Sequence, residues 1–133
     1  MTTAGKVLLV DDARTDALLL AEVLDLLNAT IEIAGSVEEA LAISDGATID
    51  VVVTDLNMPV ASGLDLAREL RKRQDSPALI FVTGSHCPLD QAAAFELGAV
   101  AYLQKPVNVT HFIAVVRDAL RSHRAKRESR LQV

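Results

Sequence analysis

Five short apolar runs, at residues 6–10, 30–34, 51–54, 78–82 and 100–103, alternate with segments whose apolar residues recur at helical spacing. Val51, Val52, Val53 and Thr54 form an unbroken β-branched run, the composition of a strand covered on both faces. Between them, residues 15–27 carry Leu20, Leu24 and Leu27 with Ala17 and Ala21, which predicts an amphipathic helix with one buried stripe. Ser36 and Glu39 form an S-x-x-E capping box for a second helix that Gly46 is placed to end. Ser62 is placed to cap a third helix bearing Leu64, Ala67 and Leu70, and Pro77 interrupts the chain before the fourth strand. Pro88 suits the first turn of a fourth helix, with Asp90 favourable near its positive end and Gly98 at its close. Asn108 caps a fifth helix that directs Phe112, Val115, Val116, Ala119 and Leu120 inward.

Strands separated by helical crossovers return in the same direction, so the pattern predicts an α/β domain built on a parallel sheet. In such sheets sites form beyond the carboxyl ends of the strands. That rule picks out Asp11, Asp12, Asp55, Thr83 and Lys105 together, because each follows or ends an apolar run.

At 133 residues, half of them apolar, the chain is long enough for one core and too short for two ordinary domains. The apolar stripe stops past Arg121, so residues 1–122 are expected to form the domain and 123–133 a basic tail or the start of a linker. That tail is either a solvated helix end or a contact for an acidic partner. The net charge of -5 resides in an acidic body, a balance that argues against a nucleic-acid partner. A lone cysteine, Cys87, excludes an intrachain disulfide. The opening MTTAGKVLLVDD holds too short an apolar run for a secretory signal, and no stretch approaches the roughly 20 apolar residues of a membrane span. These features predict a cytoplasmic protein without membrane insertion.

Three carboxylates at neighbouring strand ends repel one another unless a cation joins them. Oxygen ligands favour a hard ion, and Mg2+ fits because it accepts few protein ligands and keeps waters and a phosphate oxygen. Asp12 and Asp55 are expected to ligate directly, Asp11 partly through water, and the Asn57 backbone carbonyl to complete the set. Lys105 would neutralise an oxygen of an incoming phosphoryl group, Thr83 would hydrogen-bond another, and Asp55 would be the nucleophile that becomes an acyl phosphate.

The ordered segments VLLVDD, VVVTDLNMP, IFVTG and YLQKP resemble the receiver domain of two-component response regulators, especially the single-domain chemotaxis type. The likeness runs from residue 6 to about residue 122. It implies a doubly wound, flavodoxin-like five-stranded sheet in the order 2-1-3-4-5, with two helices on one face and three on the other. It carries Asp11 and Asp12 onto the acidic pair, Asp55 onto the phosphoacceptor, Thr83 onto the switch hydroxyl, Tyr102 onto the aromatic switch and Lys105 onto the active-site lysine. A cis Lys105–Pro106 bond is also implied. The phosphoryl donor would be a phosphohistidine on a sensor histidine kinase or a histidine phosphotransfer protein. After phosphorylation Thr83 would move inward and Tyr102 become more buried. A downstream protein or a second copy would then bind the face made by the fourth helix, fifth strand and fifth helix.

Some positions depart from the family's frequent pattern. Gly84 stands where alanine is common, and Val60-Ala61-Ser62-Gly63 replaces a glycine-methionine-aspartate-glycine loop. Arg14 either reaches the phosphate approach path or faces solvent, Met58 is read as loop packing, and His86 is not needed as a base. Three other readings stay open: a phosphorylation-independent interaction module, a receiver cut from a longer hybrid kinase or transcription regulator, and an aspartate-nucleophile phosphohydrolase. The last lacks a second carboxylate near Asp55, since Asn57 holds the nearest position.

Overall fold

The computed structural model describes residues 5–131. Strands β1 (Lys6–Val10), β2 (Thr30–Ala34), β3 (Val51–Thr54), β4 (Ala78–Thr83) and β5 (Ala99–Gln104) form one parallel sheet in the order β2-β1-β3-β4-β5. Val10 pairs with Ala34 and Thr54, Thr54 with Phe81, and Thr83 with Gln104. The ladder then continues one step beyond three strands. The Asp11 N–H donates to the Ala34 carbonyl at 3.0 Å, the Asp55 N–H to Val10 at 2.9 Å and the Lys105 N–H to Thr83 at 2.9 Å. Main-chain pairing therefore fixes Asp11, Asp55 and Lys105 along one rim.

Helices α1 (Arg14–Leu24), α2 (Val37–Gly46), α3 (Gly63–Arg71), α4 (Pro88–Glu96) and α5 (Val109–Leu131) provide the crossovers. Alternation along β1 and β3 splits the core. Leu8, Val10 and Val52 pack with Ala40 of α2, Leu66 and Leu70 of α3 and Ala94 of α4, whereas Val7, Leu9, Val51 and Val53 pack with Leu24 of α1 and Phe112, Val116 and Leu120 of α5. The expected stripe of the first helix is present, but its last turn, Asp25–Leu27, tightens to a 3-10 turn closed by Asn28 in the left-handed conformation.

Ser62 and Asp65 form a reciprocal capping box on α3, and Asn108 Oδ1 accepts from the His111 N–H at 2.9 Å. At α2 only half of the expected box forms. Ser36 accepts from the Glu39 N–H, but Glu39 Oε1 takes the Gly35 N–H at 2.7 Å instead of reaching the Ser36 amide.

The apolar stripe of α5 stops near Arg121, and beyond it the helix continues with most positions exposed and a few polar side chains turned to the body. His123 is 7% exposed, and its Nδ1 lies 3.1 Å from Oδ1 of Asp50, itself 2% exposed at the amino end of β3. Arg127 reaches the same Asp50 oxygen at 2.9 Å, and Arg130 reaches Asp75 at 3.3 Å. Three polar side chains thus tie this mostly exposed stretch to the body, contacts that a search for apolar periodicity does not register. Residues 132 and 133 of the expected tail lie outside the described residues.

Candidate functional site

Carboxylate oxygens of Asp11, Asp12 and Asp55 lie within 4.8 Å of one another, with Asp11 buried, Asp55 half-buried and Asp12 exposed. The arrangement follows from the sheet: β1 and β3 are adjacent, so acids at their carboxyl ends must converge. Asp11 Oδ1 is turned back to accept the Ala13 N–H at 2.9 Å, and Asp55 Oδ1 accepts from Leu56 N–H at 2.6 Å and Asn57 N–H at 3.3 Å. Each carboxylate is therefore oriented through one oxygen while Oδ2 faces inward.

Those inward oxygens meet Lys105. Its ammonium donates to Asp11 Oδ2 and Asp55 Oδ2 at 3.0 Å each, and to Asp16 Oδ2 at 3.2 Å. Burial acting alone would lower the lysine pKa, but the hydrogen bonds that the ammonium donates to Asp11 and Asp55 outweigh it and hold the group above the ordinary lysine value. Lys105 is therefore a cation throughout the neutral range. The Lys105–Pro106 bond is cis.

The donor set fits a divalent cation: hard carboxylate oxygens in a compact group, with their mutual repulsion balanced here by a lysine. Asn57 lies at the edge of this group with its amide directed to Asp55.

The loop before the site depends on glycine. A Cβ on Gly63 would collide with the Asp55 carbonyl oxygen, and the Gly63 N–H donates to Leu56 at 2.8 Å. The start of α3 is thus packed directly beneath the backbone of Asp55. Val60 in the same loop has φ +73° and is fully exposed, a left-handed conformation that a β-branched residue rarely takes.

Thr83 is fully buried, and its hydroxyl accepts the Ser85 N–H at 3.2 Å. Ser85 in turn donates to Asp90 Oδ2 at 2.6 Å, and its carbonyl accepts from the Gln104 side chain at 3.0 Å. Tyr102 already lies inward, with ring centroids 6.3 Å from Phe81 and 6.5 Å from Phe95. Its hydroxyl is buried without a hydrogen-bond partner among the described residues, beside the Ser85 hydroxyl that donates to Asp90. Burial raises the phenol above its ordinary value, and neighbouring Ser85 offsets part of that rise.

The structure brings Asp11, Asp12, Asp55 and Lys105 into one cluster, with Thr83 at the end of β4 and Tyr102 on β5. Arg14 and His86 are exposed, and neither makes a hydrogen bond to the acidic group among the described residues. Asp16, Ser85 and Gln104 escaped the sequence reading, which took Asp90 only as a first-turn acid of α4. Asp16 stands in the first turn of α1, where an acid is an ordinary companion of the helix's positive end and gives no separate signal of the site. The Ser85–Asp90 contact carries no spacing signal either, since it depends on how the loop bends.

The model of the response regulator receiver domain matches residues 7–117. The chain belongs to that family. Its acidic cluster forms the phosphoacceptor site of a receiver switch, whose chemistry is its own phosphorylation and dephosphorylation rather than metabolic turnover. Among its relatives is the transcriptional regulatory protein CpxR of Escherichia coli (strain K12), 37% identical over 88% of this chain and 50% of that protein. The regulatory protein VirG of Agrobacterium tumefaciens (strain 15955) is 34% identical over 86% of this chain and 43% of that protein. This chain spans about half the length of the curated relatives it matches. A receiver domain protein from Clostridium thermocellum superimposes with a TM-score of 0.81 at 33% identity, covering 91% of this chain and 98% of that one. Chemotaxis response regulator CheY4 of Vibrio cholerae gives 0.80 at 27%, covering 89% and 99%. No helix among the described residues is long and apolar enough to cross a membrane.

Proposed function

We propose that Asp55 accepts a phosphoryl group from a phosphohistidine on a sensor histidine kinase or histidine phosphotransfer protein, and that Mg2+ serves the transfer. The carrying observation is the convergence of Asp11 Oδ2 and Asp55 Oδ2 on Lys105 Nζ, at 3.0 Å each, beside Asp12. A carboxylate oxygen of Asp55 attacks phosphorus, the P–N bond breaks, and the imidazole leaves with its electron pair and takes up a proton. Lys105 neutralises charge on the transferred oxygens, and Thr83 donates to one of them after releasing the Ser85 amide. Asp11, Asp12, Asp55 and the Asn57 carbonyl would hold the magnesium, which supplies charge neutralisation at the phosphoryl oxygens. Water later attacks the phosphorus, the acyl phosphate P–O bond breaks, and inorganic phosphate leaves.

The output surface in this reading is the face formed by α4, β5 and α5. Tyr102 lies under it, between Phe81 and Phe95, and Ser85 ties the Thr83 loop to Asp90 of α4. Movement of Thr83 would therefore reach α4 through Ser85. A downstream protein or a second copy would read the change. A cytoplasmic location without membrane insertion or direct nucleic-acid binding accords with the single cysteine and the acidic body.

Two settings have support. The likeness to CheY4, TM-score 0.80, is compatible with a chemotaxis-type regulator. The half-length match to CpxR favours a receiver segment of a longer regulator.

The test is the intact mass of the chain after incubation with phosphoramidate or acetyl phosphate, with and without magnesium, for the native protein and Asp55→Asn. A magnesium-dependent, hydroxylamine-labile gain of one phosphoryl group, lost in the variant, is expected. No gain with either donor would favour an interaction module that works without phosphorylation, and a gain retained by Asp55→Asn would move the acceptor elsewhere.

A further inference from the structure

We propose that Asp16 is a positioning residue for Lys105, holding its ammonium aside when magnesium occupies the oxygens of Asp11 and Asp55. The inference rests on the magnesium reading above. An ammonium has three N–H donors. In this structure Lys105 has three carboxylate partners, Asp11 at 3.0 Å, Asp55 at 3.0 Å and Asp16 at 3.2 Å. Two of those three belong to the compact oxygen group suited to a cation, and Asp16 does not. An ammonium and a dication repel each other, so they compete for the Oδ2 atoms of Asp11 and Asp55. Once those are taken, Asp16 is the one carboxylate partner left to Lys105 among the described residues.

The local structure releases Asp16 for this role. It occupies the third position of α1, where an acidic side chain ordinarily reaches back to the cap amide. Here the Ala13 cap amide is already satisfied by Asp11 Oδ1 at 2.9 Å. Asp16 is therefore turned toward Lys105. With its side chain 48% exposed, it stands at the outer edge of the site, where the ammonium can rest partly solvated.

The weight of Asp16 should differ between the two states. Without the cation it is one of three partners of Lys105, and with the cation it is the remaining one. Removing it should therefore raise the free energy of the cation-bound state more than that of the free state. Asp16 would also hold Lys105 near the mouth of the site, within reach of phosphoryl oxygens arriving from the donor.

The experiment is a double-mutant cycle on magnesium affinity, measured by calorimetry on the whole chain with magnesium chloride alone, for the native protein, Asp16→Asn, Lys105→Ala and the double variant. Asp16→Asn is expected to weaken magnesium binding about two- to five-fold, the range of a partly exposed ion pair. Asp16→Glu should recover most of it. In the Lys105→Ala background the Asp16→Asn change should have little effect, because there is no ammonium left to hold.

An equal loss in both backgrounds would overturn the proposal, since Asp16 would then act on the cation through its own charge. Unchanged affinity in Asp16→Asn would overturn it as well. A native chain that binds no magnesium would instead remove the magnesium reading itself, whereas native binding with a failed cycle removes only the role given to Asp16.

Discussion

Nδ1 of His123 and Oδ1 of Asp50, 73 residues apart in the chain, lie 3.1 Å from each other in the interior at the end of the sheet opposite the acidic cluster. The other imidazole nitrogen faces the Ser76 carbonyl at 2.9 Å, so the ring has an oxygen acceptor on each side. Asp50 also takes the Lys6 N–H through Oδ2 at 2.8 Å and Arg127 through Oδ1 at 2.9 Å. One carboxylate thereby joins β1, β3 and α5.

His123→Ala should destabilise the fold by about 1–3 kcal/mol, because it takes one hydrogen-bond partner from the buried Asp50 carboxylate and removes the imidazole from the Ser76 carbonyl. Urea unfolding would show the loss as a lower midpoint. Phosphorylation by phosphoramidate should persist under native conditions, since His123 makes no contact with the acidic cluster.

Ending the chain after Ser122 should cost more than His123→Ala. That truncation also removes Arg127, so that the buried Asp50 keeps the Lys6 amide but loses both of its α5 partners. A thermal midpoint no lower than that of the full chain would show that α5 beyond Ser122 contributes nothing to the fold.

Val60→Gly should stabilise the protein by about 1 kcal/mol. A left-handed backbone costs roughly 1–2 kcal/mol for a residue with a Cβ, and the greater entropy of unfolded glycine takes back part of the gain. Val60 has φ +73° and buries no side chain, so no packing is lost. Chemical denaturation of the two proteins checks this directly.

Tyr102 is the single tyrosine, so the phenolate absorbance of the chain reports it alone. Burial raises its pKa above 10.0 in the folded protein, so the folded chain holds this proton more tightly than the unfolded chain. The resulting stability is fully present below about pH 10 and is lost as the pH rises through the folded value. The absorbance midpoint should lie higher in native protein than in urea. Tyr102→Phe should show a smaller loss of stability over the same alkaline window, the remainder including Lys105, whose pKa is also raised. Coincident native and urea midpoints would count against this burial.

Much of the site was legible because parallel α/β sheets place their chemistry at strand ends. Asp11, Asp12, Asp55, Thr83 and Lys105 each stand directly at or after an apolar run, and a one-dimensional pattern suffices to find them. Asp16 was not found because an acid in the first turn of a helix is ordinary. Only the position of Lys105 just past the end of β5 shows what it touches. Tyr102 was placed correctly on its strand, but its inward ring depends on the space left between Phe81 and Phe95.

Hydrophobic periodicity, capping residues and the order of apolar runs were enough, in the sequence alone, to determine an α/β chain with an acidic rim, because those signals act between near neighbours. Which lysine donor meets which carboxylate, and whether α5 continues past Arg121 as a packed element, were decided by tertiary structure. Those outcomes depend on contacts such as Lys105–Asp16 and His123–Asp50, between polar groups far apart in the chain. Their burial is stabilising only once the folded sheet has brought donor and acceptor together.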